Sequence, residues 1–400
     1  MQPPARQASL RSHNLGLALR LVAGSPGPVS RAQVAAATGL TRATASTLAE
    51  ALLAGGLLVE GPLPPTERSG RPATGLRLAG ASPAGLGLAI DVDHVAACVV
   101  DLSGTVRARR VVAGDQRGAR AADVVRRVAR LAARTAVEAG LPLAGATVAV
   151  PGLVDPGGRR LLRAPNLGWQ DVGVLDLLAK DPLLAPLRLR MDNEADLATL
   201  AEAPYARGDF AYLSGEVGLG AGIVLDGRLH RGGRGWSGEI GHLTVDRRGP
   251  RCSCGARGCL EQYAGQEALL RRSGLPVAAA ASRPVPEPAV RRLVELAEAG
   301  RRPVLRALDD AGHALGVVLA GVVNLLDLDE VVLGGSLALL AGWLVPGIEL
   351  ELARHVLWSS LALPVVRPSR SGANAVVEGA ARASTEALLA DPAGWLAGRP

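Results

Sequence analysis

Aromatic residues supply only 2% of this 400-residue chain, with one Phe, three Tyr and five Trp, and the Trp are too dispersed to stack successive bases of a single-stranded nucleic acid. Cysteine is as scarce. Of the four present, Cys252, Cys254 and Cys259 crowd together and Cys98 stands alone inside an apolar run, which excludes a disulfide framework and turns attention to a metal. No stretch reaches the roughly 18 uninterrupted apolar residues that a membrane helix needs, and Met1-Gln2-Pro3-Pro4 lacks the basic segment and apolar run of a secretory leader. These absences point to a soluble, cytoplasmic protein with no membrane partner. Acidic residues are rare at the front: residues 1–80 hold eight Arg against three Glu, a net charge of +5 that leaves only +2 for the rest of the chain.

What is present is a globular composition. With 48% hydrophobic and 20% charged residues, 50 Gly and 27 Pro, the chain has ample core material and many tight loops, and its length predicts two or three packed units. The basic front is the electrostatic footprint of a phosphate-backbone binder, although an Arg-rich chain also has a basic solvated surface. Its patterning is more specific. Residues 15, 18, 19 and 22 share one helix face that Gly24-Ser25-Pro26-Gly27-Pro28 ends. Ser30 and Gln33 form a capping box for a helix that stops at Gly39, and Thr41 caps the next, Thr41 to Ala54. Ala45, Leu48, Ala49 and Leu52 take its inner face, leaving Arg42, Ala43, Thr44, Ser46 and Thr47 near its exposed N-terminal end.

Two helices joined by a Gly-containing turn match helix-turn-helix logic, in which the second helix enters a major groove; a pair of ordinary packed helices shows the same pattern. Strand-like Leu57–Glu60, a loop with Arg68-Ser69-Gly70-Arg71-Pro72, and a return near Leu76–Leu78 read as a β-hairpin wing with a basic tip. Thr41, Arg42, Thr44, Ser46, Thr47, Arg68 and Arg71 are the candidate contacts to double-stranded DNA.

From Gly85 the texture is α/β: strands at Leu86–Asp91 and Val95–Asp101, a helix over Asp123–Ala139, a buried strand at Ala146–Val150, a long apolar helix over Val304–Leu326, and a strand delivering Gly334-Gly335-Ser336 to another helix. The strongest local pattern is Glu239-Ile240-Gly241-His242 followed by Cys252-Ser253-Cys254-Gly255-Ala256-Arg257-Gly258-Cys259-Leu260-Glu261. One His and three Cys make a tetrahedral set for zinc. Four protein ligands leave no open position, so the ion would be structural, fixing the loop that carries Glu239, His242 and Glu261.

This pattern resembles the ROK family of repressors, uncharacterised open reading frames and sugar kinases, over nearly the whole chain. Pro151–Asp155, Pro165–Trp169, Asn193–Asp196, Gly218–Ile223 and Val332–Ser336 look like further family blocks in the right order, and the front module resembles the winged helix of the repressor branch. The resemblance implies a winged helix-turn-helix over 1–80 and an actin-like, hexokinase-like (ribonuclease H-like) α/β body over 84–400. Its lobes would span about 84–197 and 198–400, holding a sugar or sugar derivative in the cleft, as a homodimer or homotetramer. Carried over by position, the sugar contacts are Asn166, Asn193, Glu239, His242 and Glu261, with Glu194 where the kinases keep a catalytic Asp. Carboxylates, Asn amides and an imidazole suit sugar hydroxyls, which both donate and accept. Glu239 and Glu261 could instead only orient the zinc loop.

The chain departs from the kinases at three places. Asp91-Val92-Asp93-His94-Val95 replaces the glycines and hydroxyl of their first phosphate turn, Glu216-Val217-Gly218 replaces a Gly-Thr-Gly, and Glu194 replaces the Asp. Bulk and negative charge in a phosphate seat oppose ATP. The reading is a non-enzymatic, sugar-responsive DNA-binding regulator of carbohydrate genes, a repressor. The alternative is an ATP-dependent sugar kinase of the glucokinase or N-acetylhexosamine kinase type that retains a DNA-binding module, since Glu is a competent base and Gly220-Ala221-Gly222 and Gly334-Gly335 survive. Of the remaining residues, His13, His230, His313 and His355 read as surface or packing, Cys98 as core and Trp169 as a wall of the cleft. Residues 278–288 read as a surface excursion, and those after about 391 as frayed.

Overall fold

Apolar positions three and four apart wind the front of the chain into three helices whose shared inner faces exclude water. The computed structural model describes residues 7–63, 74–215, 218–276 and 287–397. In it α1 (Gln7–Ala23), α2 (Arg31–Thr38) and α3 (Arg42–Ala54) pack on a small sheet of β1 (Val29–Ser30), β2 (Leu58–Pro62) and β3 (Thr74–Leu78), with β3 central and antiparallel to both neighbours. The capping box at Ser30 and Gln33 forms, Gly39 is left-handed, and Thr41 Oγ1 accepts the Thr44 N–H at 3.1 Å. Ala45, Leu48, Ala49 and Leu52 are all buried. The wing tip, with Arg68 and Arg71, lies outside the described residues, as do 277–286 of the expected surface excursion.

The body consists of two lobes built to one plan. The first contains β4 (Ala84–Ile90), β5 (His94–Val100), β6 (Val106–Ala113), α4 (Ala121–Ala139) and β7 (Leu143–Val150). It continues with a flap of β8 (Leu153–Val154), β9 (Leu161–Ala164) and β10 (Trp169–Val172), then α5 (Val174–Leu178) and β11 (Leu189–Asn193). Helix α6 (Glu194–Glu202) crosses to the second lobe, where β12 (Phe210–Gly215), β13 (Leu219–Leu225) and β14 (Arg228–Leu229) precede α7 (Glu261–Ala264), α8 (Gln266–Arg272), α9 (Glu287–Glu298) and α10 (Arg302–Leu326). Next come β15 (Glu330–Gly335), α11 (Ser336–His355), β16 (Val365–Pro368), α12 (Ala375–Ala390) and α13 (Pro392–Ala397).

The sheet orders are β6-β5-β4-β7-β11 and β14-β13-β12-β15-β16. In each, the first three strands form an antiparallel meander and the last two join in parallel, which requires a helical crossover. Strands β4 and β12 are buried along their whole length, because helices cover both faces; this is why they read as unbroken apolar runs. Cys98 is fully buried in a cluster that includes Leu197 of α6 and Val377 of α12. Helices α10 and α11 are, among the described residues, long and apolar enough to cross a membrane by length and composition, yet Leu315, Leu319, Leu340 and Leu344 spend that surface in the second lobe's core.

Three expectations are corrected here. Trp169 does not wall the cleft: it is 6% exposed in the first lobe's core, its indole N–H donating to the Ala119 carbonyl at 2.8 Å. The described residues after 391 are not frayed, because α13 forms and Trp395 and Leu396 pack against the core of the front helices. Helix α1 starts at Gln7, about two turns before the expected start at Asn14-Leu15, and in this added stretch Ser12 donates to Asp391 at 2.6 Å. Gly16 rests on the Ala390 carbonyl so closely that a Cβ would come within 2.7 Å of its oxygen. Sequence spacing within the front module carries no trace of a partner nearly 400 residues away.

Glu202, fully buried at the end of α6, anchors the chain after β16: it accepts from Arg367 at 2.6 Å, from Ser369 at 2.7 Å, and from the backbone N–H groups of Arg370 and Ser371. Burial alone would raise its pKa, but the hydrogen bonds from Ser371 and Arg367 prevail and hold it below the usual 4.5. Its contribution to stability is therefore complete above about pH 4.5 and is lost as pH falls through the lowered folded value. Glu202→Ala is expected to cost roughly 3–5 kcal/mol in urea unfolding at neutral pH, because Arg367 loses a buried partner. A cost that stays constant down to pH 3 would contradict this account.

Candidate functional site

The two parallel strands of the first lobe end where their backbones run out of partners, and the residues just beyond them face the second lobe. Pro151 and Gly152 follow β7, Asn193 ends β11 and Glu194 starts α6. Opposite them lie Gly218, Leu219 to Ala221 of β13, and Ser237 to Glu239, and the space between is a cavity of about 350 Å3, a size suited to a small polar ligand. Asn166, Asn193, Glu194, Glu239, His242 and Glu261 all line it, so the positions expected from widely separated blocks meet at one cavity. Asn193 spends its amide on structure as well: its Oδ1 caps α6 by accepting the Ala195 N–H at 2.7 Å, and its Nδ2 donates to the Gly152 carbonyl at 3.0 Å. Glu239 is placed by Gly238, whose φ of 93° and 1.7 Å approach of a would-be Cβ to the Ala221 carbonyl admit only glycine. Burial raises the pKa of Glu239, with His242 opposing and Glu261 adding to the rise.

Arg163, Ser253 and Cys254 also line the cavity, and sequence reasoning missed Arg163 as a wall and the neighbouring group Asp192, Asp196 and Arg231. Arg231 reaches across the lobes to Asp192 at 2.5 Å and Asp196 at 3.3 Å, and the Trp236 indole N–H crosses to the Val154 carbonyl at 2.8 Å. Burial, then the Asp192 charge, pushes Asp196 up to about 7 against the pull of Arg231. Arg231 had no detectable motif, since its partners are 35 and more residues away.

His242, Cys252, Cys254 and Cys259 converge so that their ligand atoms all lie within 4.8 Å of one another. Cys252 Sγ is 3.8 Å from His242 Nδ1, and Cys254 Sγ is 3.7 Å from Cys259 Sγ. A tetrahedron with Zn–S bonds of about 2.3 Å has edges of about 3.7 Å, so the donor set fits zinc in spacing as well as chemistry. The backbone prepares it: Thr244 bridges Cys259, Arg251 bridges Arg257, and Gly255 donates to the Cys252 carbonyl at 3.0 Å, closing a knuckle around the thiols. Burial and the neighbouring thiols push Cys259 up to about 12, so its thiolate is favoured only beside a cation. With Nδ1 turned to the thiols, the other imidazole nitrogen of His242 is left for the cavity.

At the front, Thr41, Arg42 and Thr47 are exposed and Thr44 and Ser46 half-buried at the start of α3. Thr41 and Thr44 share a hydroxyl contact of 2.8 Å, and Arg31 of α2 pairs with Glu60 of β2 at 2.7 Å, fixing α2 against the sheet.

The sequence pattern of the ROK family matches residues 85–386. The chain belongs to the ROK family. An IclR helix-turn-helix domain matches residues 17–62, spanning α1 to β2, so this ROK protein carries an N-terminal helix-turn-helix. It is similar to the xylose repressor of Caldicellulosiruptor bescii, 32% identical over 202 residues that are 48% of this chain and 50% of that repressor, so the match spans about half the length of that relative. Its structure is similar to that of a ROK family transcriptional regulator described as a homolog of the E. coli MLC protein, with a TM-score of 0.80 and 25% identity, covering 97% of this chain and 100% of the other. It is also similar to a ROK hexokinase from Thermus thermophilus, with a TM-score of 0.59 and 32% identity over 74% of this chain and 97% of that one.

The turn between β4 and β5 of this ROK protein is acidic. Asp91 and Asp93 are buried there, His94 Nδ1 lies 2.7 Å from Asp93 and 3.9 Å from Asp91, and burial raises the Asp91 pKa. Asp93 and His94, at the two positions where the resemblance to the kinases implies glycine, thus pack the turn beside Asp91. Glu216 and Val217 lie outside the described residues.

Proposed function

We propose that this ROK protein is a sugar-responsive transcriptional regulator, a repressor of carbohydrate genes, whose kinase-like body senses a sugar without phosphorylating it. The observation that carries the reading is a contrast within one molecule: the polar residues suited to a sugar line one cavity, whereas the β4–β5 turn is filled by Asp91, Asp93 and His94. A module with an exposed, small-polar helix start is joined to that body, and the similarity to a xylose repressor makes an aldopentose the first ligand to try. Asn166, Asn193, Glu194, Glu239, His242 and Glu261 bind the sugar hydroxyls, and zinc on His242, Cys252, Cys254 and Cys259 holds the loop behind them. Zinc supplies rigidity here and no reacting group. Because Arg231 and Trp236 already bridge the lobes at the cleft rim, a sugar that favours the closed state shifts the body as a unit. Residues 1–80 bind double-stranded DNA through Thr41, Arg42, Thr44, Ser46, Thr47, Arg68 and Arg71, and a two-fold dimer reads an inverted repeat.

The test is selection of a duplex from a random library with the full chain, followed by binding titration with and without D-xylose and D-glucose. A sugar that weakens DNA binding by about 5- to 150-fold supports the reading. Thr44→Ala and Thr47→Ala are expected to lose about 1–3 kcal/mol of discrimination at one or two base pairs while keeping non-specific affinity. Recovery of no preferred duplex would overturn the DNA assignment, and an unchanged sequence preference in both variants would remove α3 from the groove.

A further inference from the structure

The sugar cleft lies at the C-terminal ends of β7 and β11; a second cavity, of about 240 Å3, lies at the opposite ends of the same two strands. Its walls are Leu143 of β7, Arg188 and Arg190 at the start of β11, Leu388 near the end of α12, and Trp395 of α13. The two lobes' cleft is rich in carboxylates, with Glu194, Glu239 and Glu261 against Arg163. This cavity has the opposite balance: its charged lining is Arg188, Arg190 and Asp391. Arg188 and Arg190 are two apart on extended backbone and so share a face.

Both guanidinium groups are available. Arg188 Nη1 stands 3.9 Å from Asp391 with both side chains at least half exposed, a loose pair that solvent screens. Its guanidinium lies over the backbone of Gly394, where a Cβ would come within 2.4 Å of Nη2. Arg190 makes no side-chain hydrogen bond or ion pair among the described residues. Asp391, in turn, accepts from Ser12 of α1 at 2.6 Å, and Leu396, one residue beyond Trp395, covers Gly55 at the end of α3. The cavity wall is therefore also the floor on which the front helices sit.

We propose that this cavity binds a small organic anion, a carboxylate or phosphate carried on a ring or a short apolar body, with Arg188 and Arg190 taking the oxyanion and Trp395 and Leu388 the body. Two guanidinium groups offer paired, charge-assisted hydrogen bonds to such a group. An anion on Arg188 sets a second negative charge beside Asp391 and pushes its carboxylate aside, and because Asp391 also holds Ser12, that displacement loosens α1 from the body. Binding and the loosening of α1 stand apart from the DNA reading; only their consequence for an operator rests on it.

The full chain is titrated calorimetrically with phenyl phosphate and with benzoate, and with phenol as the neutral control, beside an Arg188→Gln/Arg190→Gln double variant and Trp395→Phe. One site per chain is expected for at least one of the two anions, the preferred one identifying phosphate or carboxylate, with phenol and the double variant each at least tenfold weaker and Trp395→Phe weaker by a smaller factor. Hydrogen exchange should quicken around Ser12 when the anion binds. Equal affinity in the double variant, or no binding of either anion up to about 10 mM, overturns the site. Binding that leaves exchange around Ser12 unchanged overturns the coupling to α1. Both readouts proceed without DNA, so a failed operator selection leaves them intact.

Discussion

Replacing Cys254 by Ser is expected to reduce bound zinc from one per chain to near zero after dialysis against a chelator, and to weaken sugar binding by about 100-fold or more. The size follows from what the ion holds. His242 belongs at once to the His–Cys cluster and to the cavity wall, Glu261 lies two residues after Cys259, and Leu219 of the facing strand donates to Glu261 at 3.4 Å. Losing the tetrahedral anchor frees the knuckle over 252–259, and two misplaced hydrogen bonds to a sugar, at about 1–1.5 kcal/mol each for neutral donors and up to about 3 for charged ones, account for the loss. Cys254 is the exposed member of the thiol set, so its substitution opens no cavity in the buried core. Metal analysis and a sugar titration check the two parts. Full zinc retention would show that the ligand set is wrong; zinc loss with unchanged sugar affinity would reduce the knuckle to a purely architectural element.

The second large effect is an absence of turnover. Incubated with ATP, Mg2+ and a panel of pentoses, hexoses and N-acetylhexosamines, the protein is expected to release ADP at least 10,000-fold more slowly than a working kinase with a rate of about 10 per second. Moving the base by one methylene accounts for about 100-fold, and loss of a phosphate-stabilising group for another 100-fold or more. The buried side chain of Asp93, where the resemblance to the kinases implies a glycine, adds bulk and an acidic group to the β4–β5 turn that a phosphate would approach. Glu194→Asp alone is therefore expected to stay silent. Turnover by the variant would place the whole defect at residue 194, and sugar-dependent turnover by the native protein would establish the alternative of a DNA-binding kinase.

Legibility differed sharply between local and distant features. The capping box at Ser30 and Gln33, the cap at Thr41 and the inner face of α3 were readable because each depends on residues three or four apart. The thiol cluster was readable because its spacing within an eight-residue loop leaves little else for it to do. By contrast Trp169 was misplaced, since a Trp beside a cleft-lining Asn reads the same whether its ring turns to the cavity or to the core; the Ala119 carbonyl decided it. The tail was misjudged because Trp395 and Leu396 have meaning only against α1 and α3. Arg163 and Arg231 carried no pattern at all among so many Arg.

By itself the amino-acid sequence determined the helix-turn-helix, the alternation of strands and helices and the crowding of one His with three Cys, which follow from short-range periodicity, capping and residue spacing, while its motif blocks carried the resemblance to the family. Tertiary structure alone decided that the two lobes repeat one strand order, that the cleft is bridged by Arg231, and that the C-terminal helices support the front module beside a cationic cavity. Those features arise where chain segments far apart in sequence bury a common surface. Local propensity specifies each surface but is silent on which two will meet.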